Sequence, residues 1–235
     1  MATERLEIKL PSVAVSDYVF FAGDRVQLAG QMDYPEILPL EHGYPVIFTI
    51  QHATCNSRTG YEHIARVGTE VGCAVFRWDK RGTGSSGAGG GGSVTEDTLA
   101  AYRTALVQRM IDPAKLFVIA QNEGTILFGE AYDEFAAIQK PAGVVLLGNM
   151  LDEKQILAIK APVLSIVSKN DWNAWQIYAD AAVKAHNKVH RLNSEFYVAP
   201  NTNRRLMYEN GGSFHREAAL TIQNWIVKLC SPAAI

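Results

Sequence analysis

The sequence predicts an α/β fold: a mostly parallel sheet of about eight strands with helices on both faces. Two patterns carry that prediction. Short apolar runs alternate with longer segments of helical period, joined by short links. Runs such as Val46–Ile50 are continuous and β-branched or aromatic instead of alternating, which marks strands buried on both faces. Hydrophobic residues make up 48% of the 235 and charged residues 20%, an ordinary balance that suits one domain over 1–235.

Taken in order, Asp17–Phe21 and Val26–Met32 read as strands around an Ala22-Gly23-Asp24 turn, an antiparallel edge. Val46–Ile50 is the third strand. Tyr61, Ile64, Ala65, Gly68 and Val71 fall at helical spacing before a fourth strand at Cys73–Phe76. Residues Gly82–Ser93 read as a flexible glycine-rich loop without the Lys-Ser/Thr of a phosphate loop. Ser93 and Glu96 form a capping box for a helix that turns Leu99, Tyr102, Leu106 and Met110 inward. Leu116–Ala120 is a strand followed at once by a helix from Glu123. Gly143–Leu147 and Val163–Ser168 are buried strands, with one short helical stretch around Leu151–Ile159 between them. Helix Trp172–His186, strand Phe196–Ala199 and a last helix near Phe214–Leu229, with Ser213 as its cap, complete the chain.

Twenty-two basic against 24 acidic residues leave a charge of −2, which argues against nucleic acid or an anionic membrane as partner. Three cysteines, Cys55, Cys73 and Cys230, form no disulfide framework, and with no signal-like start they make a cytoplasmic protein the expectation. No cofactor is implied, and the six histidines are read as lacking the His-x-x-x-His or His-Glu spacing of a metal site.

In an open α/β sheet, ligands bind beyond the carboxyl ends of the strands. The loops there read Gln51-His52-Ala53-Thr54-Cys55, Trp78-Asp79-Lys80-Arg81-Gly82-Thr83-Gly84-Ser85, Ala120-Gln121-Asn122-Glu123-Gly124 and Lys169-Asn170-Asp171. With these the chain resembles the α/β-hydrolase family over almost its full length. His52-Ala53 is similar to the family's His-Gly oxyanion loop, and the Asp79 segment to its Asp-x-Arg-Gly-x-Gly-x-Ser turn. The resemblance implies an α/β-hydrolase fold and puts the catalytic acid at Asp171. The fifteen residues 148–162 leave no room for a cap domain.

The departure is at the nucleophile elbow, where Asn122 stands in place of the nucleophile. Asparagine tolerates the positive φ of such a turn but offers no oxygen to activate. Two registers compete for the histidine. In one, His215 fills it. In the other, Ala199-Pro200-Asn201-Thr202-Asn203-Arg204 is similar to the family's Pro-Gly-x-Asn-His pattern, with Arg204 in the histidine position; this register leaves a complete last helix and is preferred. Arg204 cannot act as a base but can pair with Asp171. His52, Ala53, Thr54, Gln121 and Glu123 are the expected ligand-binding or oxyanion residues, Glu123 also as a helix cap. Cys55 reads as a small hydrophobe, and Asp79 with Arg81 as an internal salt bridge. The leading reading is a degenerate hydrolase homologue that binds a small ligand, an anion among the candidates, or a protein partner. The alternatives are a hydrolase, lyase or isomerase of unusual mechanism using Asn122, Asp171 and His215, or a serine esterase inactivated by deliberate substitution.

Overall fold

The computed structural model describes residues 15–39, 41–171, 175–210 and 212–231. Among these residues eight strands form one sheet: β1 (Val15–Gly23), β2 (Val26–Tyr34), β3 (Tyr44–Ile50), β4 (Ala74–Trp78), β5 (Ile111–Gln121), β6 (Gly143–Leu147), β7 (Val163–Ser168) and β8 (Glu195–Ala199). Their order is β1-β2-β4-β3-β5-β6-β7-β8, with β1 and β2 antiparallel to their neighbours and the rest parallel. Every residue of β3, β4, β6 and β7 is buried, in keeping with their largely apolar sequences.

Strand periodicity sorts these side chains into two cores. Val46, Phe48, Val144 and Leu146 face α2 (Val94–Leu106), α3 (Glu123–Glu130), α4 (Tyr132–Ile138) and α5 (Glu153–Ala158). The intervening Ile47, Val145 and Leu147 face α1 (Glu62–Thr69) and α7 (Arg216–Cys230). Helix α6 (Trp175–His190) joins the first core through Ala182. Residues 172–174, where this helix was expected to begin, lie outside the described residues. The segment between β6 and β7 holds only the six-residue α5, so no cap domain is inserted there.

Several local expectations are corrected. Gly23 pairs with Val26, so the hairpin turns on Asp24-Arg25 and Gly23 belongs to the strand. Strand β5 starts at Ile111, five residues earlier than its apolar run; Pro113 hid this extension, which the register shift at Pro45/Val46 accommodates. The cap of α7 is His215, whose Nδ1 accepts the Ala218 N–H at 3.1 Å; Ser213 instead gives its carbonyl to Tyr208 N–H.

Asp79 and Arg81 do not pair with each other. Buried Asp79 takes the Arg58 guanidinium and the Ser85 N–H, while Arg81 grips Asp97 on α2 at 2.7 and 2.9 Å. Gly84 has φ +53, and a Cβ there would lie 2.3 Å from the Asp79 carboxylate, which explains the glycine in this motif. The glycine-rich loop is seated as well. Arg81 donates to the carbonyls of Asp24 and Gly89, and a Cβ at Gly92 would meet its guanidinium at 2.4 Å.

His63 on α1 lies between Tyr61 and Phe214, ring centroids 5.9 and 4.8 Å away, and its Nε2 is buried without a hydrogen-bond partner among the described residues. Burial, helped by the charges of Arg205, Arg77 and Arg66, pulls its pKa from 6.5 down to about 4. Between these values the unfolded chain binds a proton that the folded chain refuses, so stability falls as pH drops from 6.5 towards 4, by about 3 kcal/mol in total from this group. Denaturant titrations of wild type and His63→Phe across this range should show the gap shifting in favour of the variant as the pH falls; parallel pH profiles would refute this role.

Candidate functional site

The site is built where β5 turns into α3. Asn122 has φ 49 and ψ −116, a backbone region that non-glycine residues rarely adopt, and it is fully buried. Neighbouring glycines make the turn possible. A Cβ at Gly124 would meet the carbonyl oxygens of Ile50 and Gln51 at 2.7 and 2.9 Å, and one at Gly148 would lie 2.8 Å from Asn122 Nδ2. The main chain is firmly tied, with Asn122 N–H donating to Leu147 O at 2.9 Å. The side chain is poorly satisfied: Nδ2 reaches Arg204 O only at 3.5 Å, and Oδ1 has no partner among the described residues.

The loop after β8 covers this elbow. Gln121 Nε2 donates to Arg205 O at 3.0 Å, so two successive amide side chains face two successive carbonyls of the loop. Asn203 Oδ1 accepts the N–H groups of Arg205 and Met207, and Leu206, fully buried, takes φ +60. The loop is also stitched to the β7 end by Ser168 Oγ donating to Thr202 O at 2.6 Å. Here Asp171 and Arg204 meet: Nε and a terminal nitrogen of the guanidinium lie 3.3 and 3.5 Å from the two carboxylate oxygens, with the Asp171 side chain 4% exposed.

His215 is buried at the start of α7. Its Nδ1 serves the cap, its N–H donates to Leu206 O, and its ring packs 4.9 Å from Tyr208. Desolvation lowers its pKa and keeps the ring neutral. The ion pair expected between Asp171 and Arg204 is therefore present, and His215 is engaged in holding the helix start.

On the other side of the elbow, His52 N–H donates to the Tyr61 hydroxyl at 2.6 Å, and His52 Nδ1 accepts Thr54 N–H at 2.9 Å. That bond fixes the neutral tautomer with the proton on Nε2, consistent with a pKa lowered by desolvation and by the cations Arg205, Lys80 and Arg204. Glu123 Oε2 lies 3.4 Å from Nδ1, and its charge works against that lowering. Glu123 Oε2 also accepts the N–H of Ala53 at 3.3 Å. Desolvation opposes its charge, but backbone N–H groups, then His52 and Arg204, outweigh it and hold the carboxyl below the ordinary glutamate range. Cys55 is half-buried against Gly60.

A cavity of about 360 Å³ opens beside Ala53 and Glu123, walled by Trp78, Lys80, Val94 and Leu127. Lys80, to which sequence reading gave no role, donates to His52 O at 3.0 Å and Gln51 O at 3.4 Å. His186 and His190 have the His-x-x-x-His spacing that can bind metal, a signal the sequence reading passed over. Both spend Nε2 on carbonyls, of Ile159 and Leu157, and the described residues contain no cluster of three or more His, Cys, Asp or Glu able to hold an ion.

No protein-family model and no curated relative matches the chain. Solved structures do. The esterase domain of a Rhodothermus marinus protein aligns at TM-score 0.64 and 18% identity over 91% of this chain and 98% of its own. A Pyrococcus furiosus esterase aligns at 0.68 and 14% over 92% of each. A Coxiella burnetii alpha-beta serine hydrolase homologue aligns at 0.59 and 14%, over 92% of this chain and 97% of its own. The chain has the α/β-hydrolase fold, and the elbow that carries Asn122 is that fold's strand-to-helix turn. Among the described residues no helix is long and apolar enough to cross a membrane.

The strain at Asn122 predicts an unusual mutational response. Asn122→Gly should stabilise the chain by about 1 kcal/mol, since it relieves the backbone and removes an unsatisfied amide. Asn122→Val should cost more than about 2 kcal/mol at the same position. Urea denaturation of the three proteins checks the order.

Proposed function

We propose that the chain is a hydrolase-fold protein that has given up acyl transfer and uses the former active-site cleft to bind a small ligand. The observation that carries this reading is the Arg204 guanidinium on Asp171. In ester hydrolysis by a triad, the acid orients a histidine that removes a proton from the nucleophile. A guanidinium in that place stays protonated and accepts nothing. The elbow side chain agrees, because Asn122 presents an amide and is fully covered, whereas a nucleophile has to be reachable. What survives is what a binding site needs: a firmly tied elbow and the adjacent cavity.

A second reading, non-acyl catalysis, is favoured by one observation, that Asp171 remains in place and nearly buried beside the elbow. Two measurements separate these readings. The binding reading expects no covalent labelling by a fluorophosphonate and no turnover of a panel of activated esters above a heat-denatured control. Turnover lost on Asp171→Ala would favour the catalytic reading, and robust labelling would defeat both.

A further inference from the structure

The cavity beside Ala53 carries hydrogen-bonding capacity that the chain leaves unused. Gln51, 1% exposed, forms part of its wall, and its Nε2 donates to the carbonyl of Trp78. A carbonyl only accepts, so the orientation of this amide is fixed and Oε1 is the atom left over, buried and without a partner among the described residues. Asn56, another wall residue, is in the same state. Its main chain is tied down, the carbonyl taking the Lys80 N–H and the Thr83 hydroxyl, both at 2.8 Å, while its Oδ1 is buried and has no partner among the described residues. A buried acceptor without a donor costs stability, so this wall is satisfied only when an occupant supplies donors to it.

The charges on the wall limit what that occupant can be. They are two cations and two carboxylates, Lys80 and Arg81 against Asp97 and Glu123. Arg81 and Asp97 bond to each other, and Glu123 supports the charge of Lys80 against desolvation. An ion entering here would bring a charge that this balanced wall does not answer. The count of donors and acceptors is equally restrictive. Two donors are needed, for Gln51 Oε1 and Asn56 Oδ1. The Lys80 ammonium has three N–H groups and spends two on His52 O and Gln51 O at 3.0 and 3.4 Å, so it can serve one further acceptor. Two donors on one nitrogen with an acceptor beside it make a primary carboxamide. An alcohol brings one donor, a carboxylate none, and a primary ammonium a charge. Behind the polar end, Trp78, Val94 and Leu127 form an apolar wall in a volume of about 360 Å³, at the small end of ligand pockets.

We propose that this cavity is a recognition site for a small neutral primary carboxamide with an apolar body, its NH2 group donating to Gln51 Oε1 and Asn56 Oδ1 and its carbonyl accepting from Lys80. The proposal rests on the binding reading for the place of the ligand, and it names the class of ligand that reading leaves open. Specificity then lies in Gln51 and Asn56, on the loop after β3 and not on the elbow. Ionised relatives of the same size are rejected by the balance of charge already on the wall, and relatives without N–H groups by the acceptors they leave orphaned.

The test titrates hexanamide into the full chain by calorimetry, beside methyl pentyl ketone, which has a methyl group in place of the NH2, and the ions hexanoate and hexylammonium. Hexanamide should bind at least tenfold more tightly than each of the other three. Asn56→Leu should weaken hexanamide at least tenfold and leave the weaker binding of the ketone unchanged; Gln51→Met should do the same and serves if Asn56→Leu does not fold. Equal affinity for hexanamide and the ketone would overturn the proposal, because the N–H donors would count for nothing, while leaving the binding reading intact. Tighter binding of either ion, or no binding by any of the four, would overturn it too. Ammonia released from hexanamide by the wild-type chain would instead defeat the reading of the previous subsection and leave carboxamide recognition standing.

Discussion

Everything in the cleft hangs on the backbone of Asn122. A residue at φ 49 and ψ −116 between a buried strand and a helix is held only by surroundings that permit no alternative. Those surroundings are the Leu147 carbonyl that takes its N–H, and glycines at 124 and 148 where any side chain would collide. The turn in turn fixes where α3 starts, hence where the Glu123 N–H points and where its carboxylate can reach. It also sets Gln121 and Asn122 against the carbonyls of Arg205 and Arg204, which positions the loop bearing the guanidinium. The strained strand-to-helix elbow thus carries an amide, set against the backbone carbonyl of Arg204 in the loop after β8.

Electrostatically the site divides in two across that turn. On the β7–β8 side Asp171 and Arg204 answer each other. On the β3–β4 side Lys80 is tied to two carbonyls of the His52 loop and supported by Glu123. The histidines near by, His52, His63 and His215, are all kept neutral by desolvation first of all.

The architecture was largely legible in the sequence because burial writes itself into composition. Continuous apolar runs marked the inner parallel strands, a hairpin turn marked β1 and β2, and the Ser93/Glu96 box marked the start of α2. What hid was conformation that depends on distant partners. Pro113 masked the start of β5 because its tolerance comes from a bulge opposite it. The Asp79–Arg81 pairing failed because proximity in sequence says little about which arginine a buried carboxylate meets; Arg58, 21 residues away, is the partner. In the site, Asp171 stood out as a match to a motif and Asn122 and Arg204 as departures from one. Lys80 and the contact of the Glu123 carboxylate with the Ala53 N–H did not, since the first has no motif role and the second depends on a side-chain rotamer. His63 gave a weaker signal still, one polar residue on an otherwise apolar helix face.

The central claim is that the elbow persists while the proton-transfer machinery does not, with Arg204 standing where a base would be needed. Comparing Asn122→Ser with Asn122→Ser/Arg204→His for burst release of p-nitrophenol from p-nitrophenyl butyrate tests it most directly. The account predicts no acyl-enzyme burst from the single variant and a measurable burst from the double variant, because only the latter supplies a base next to Asp171. A burst from Asn122→Ser alone would contradict it, by showing that a competent base, His215 foremost, was already in place.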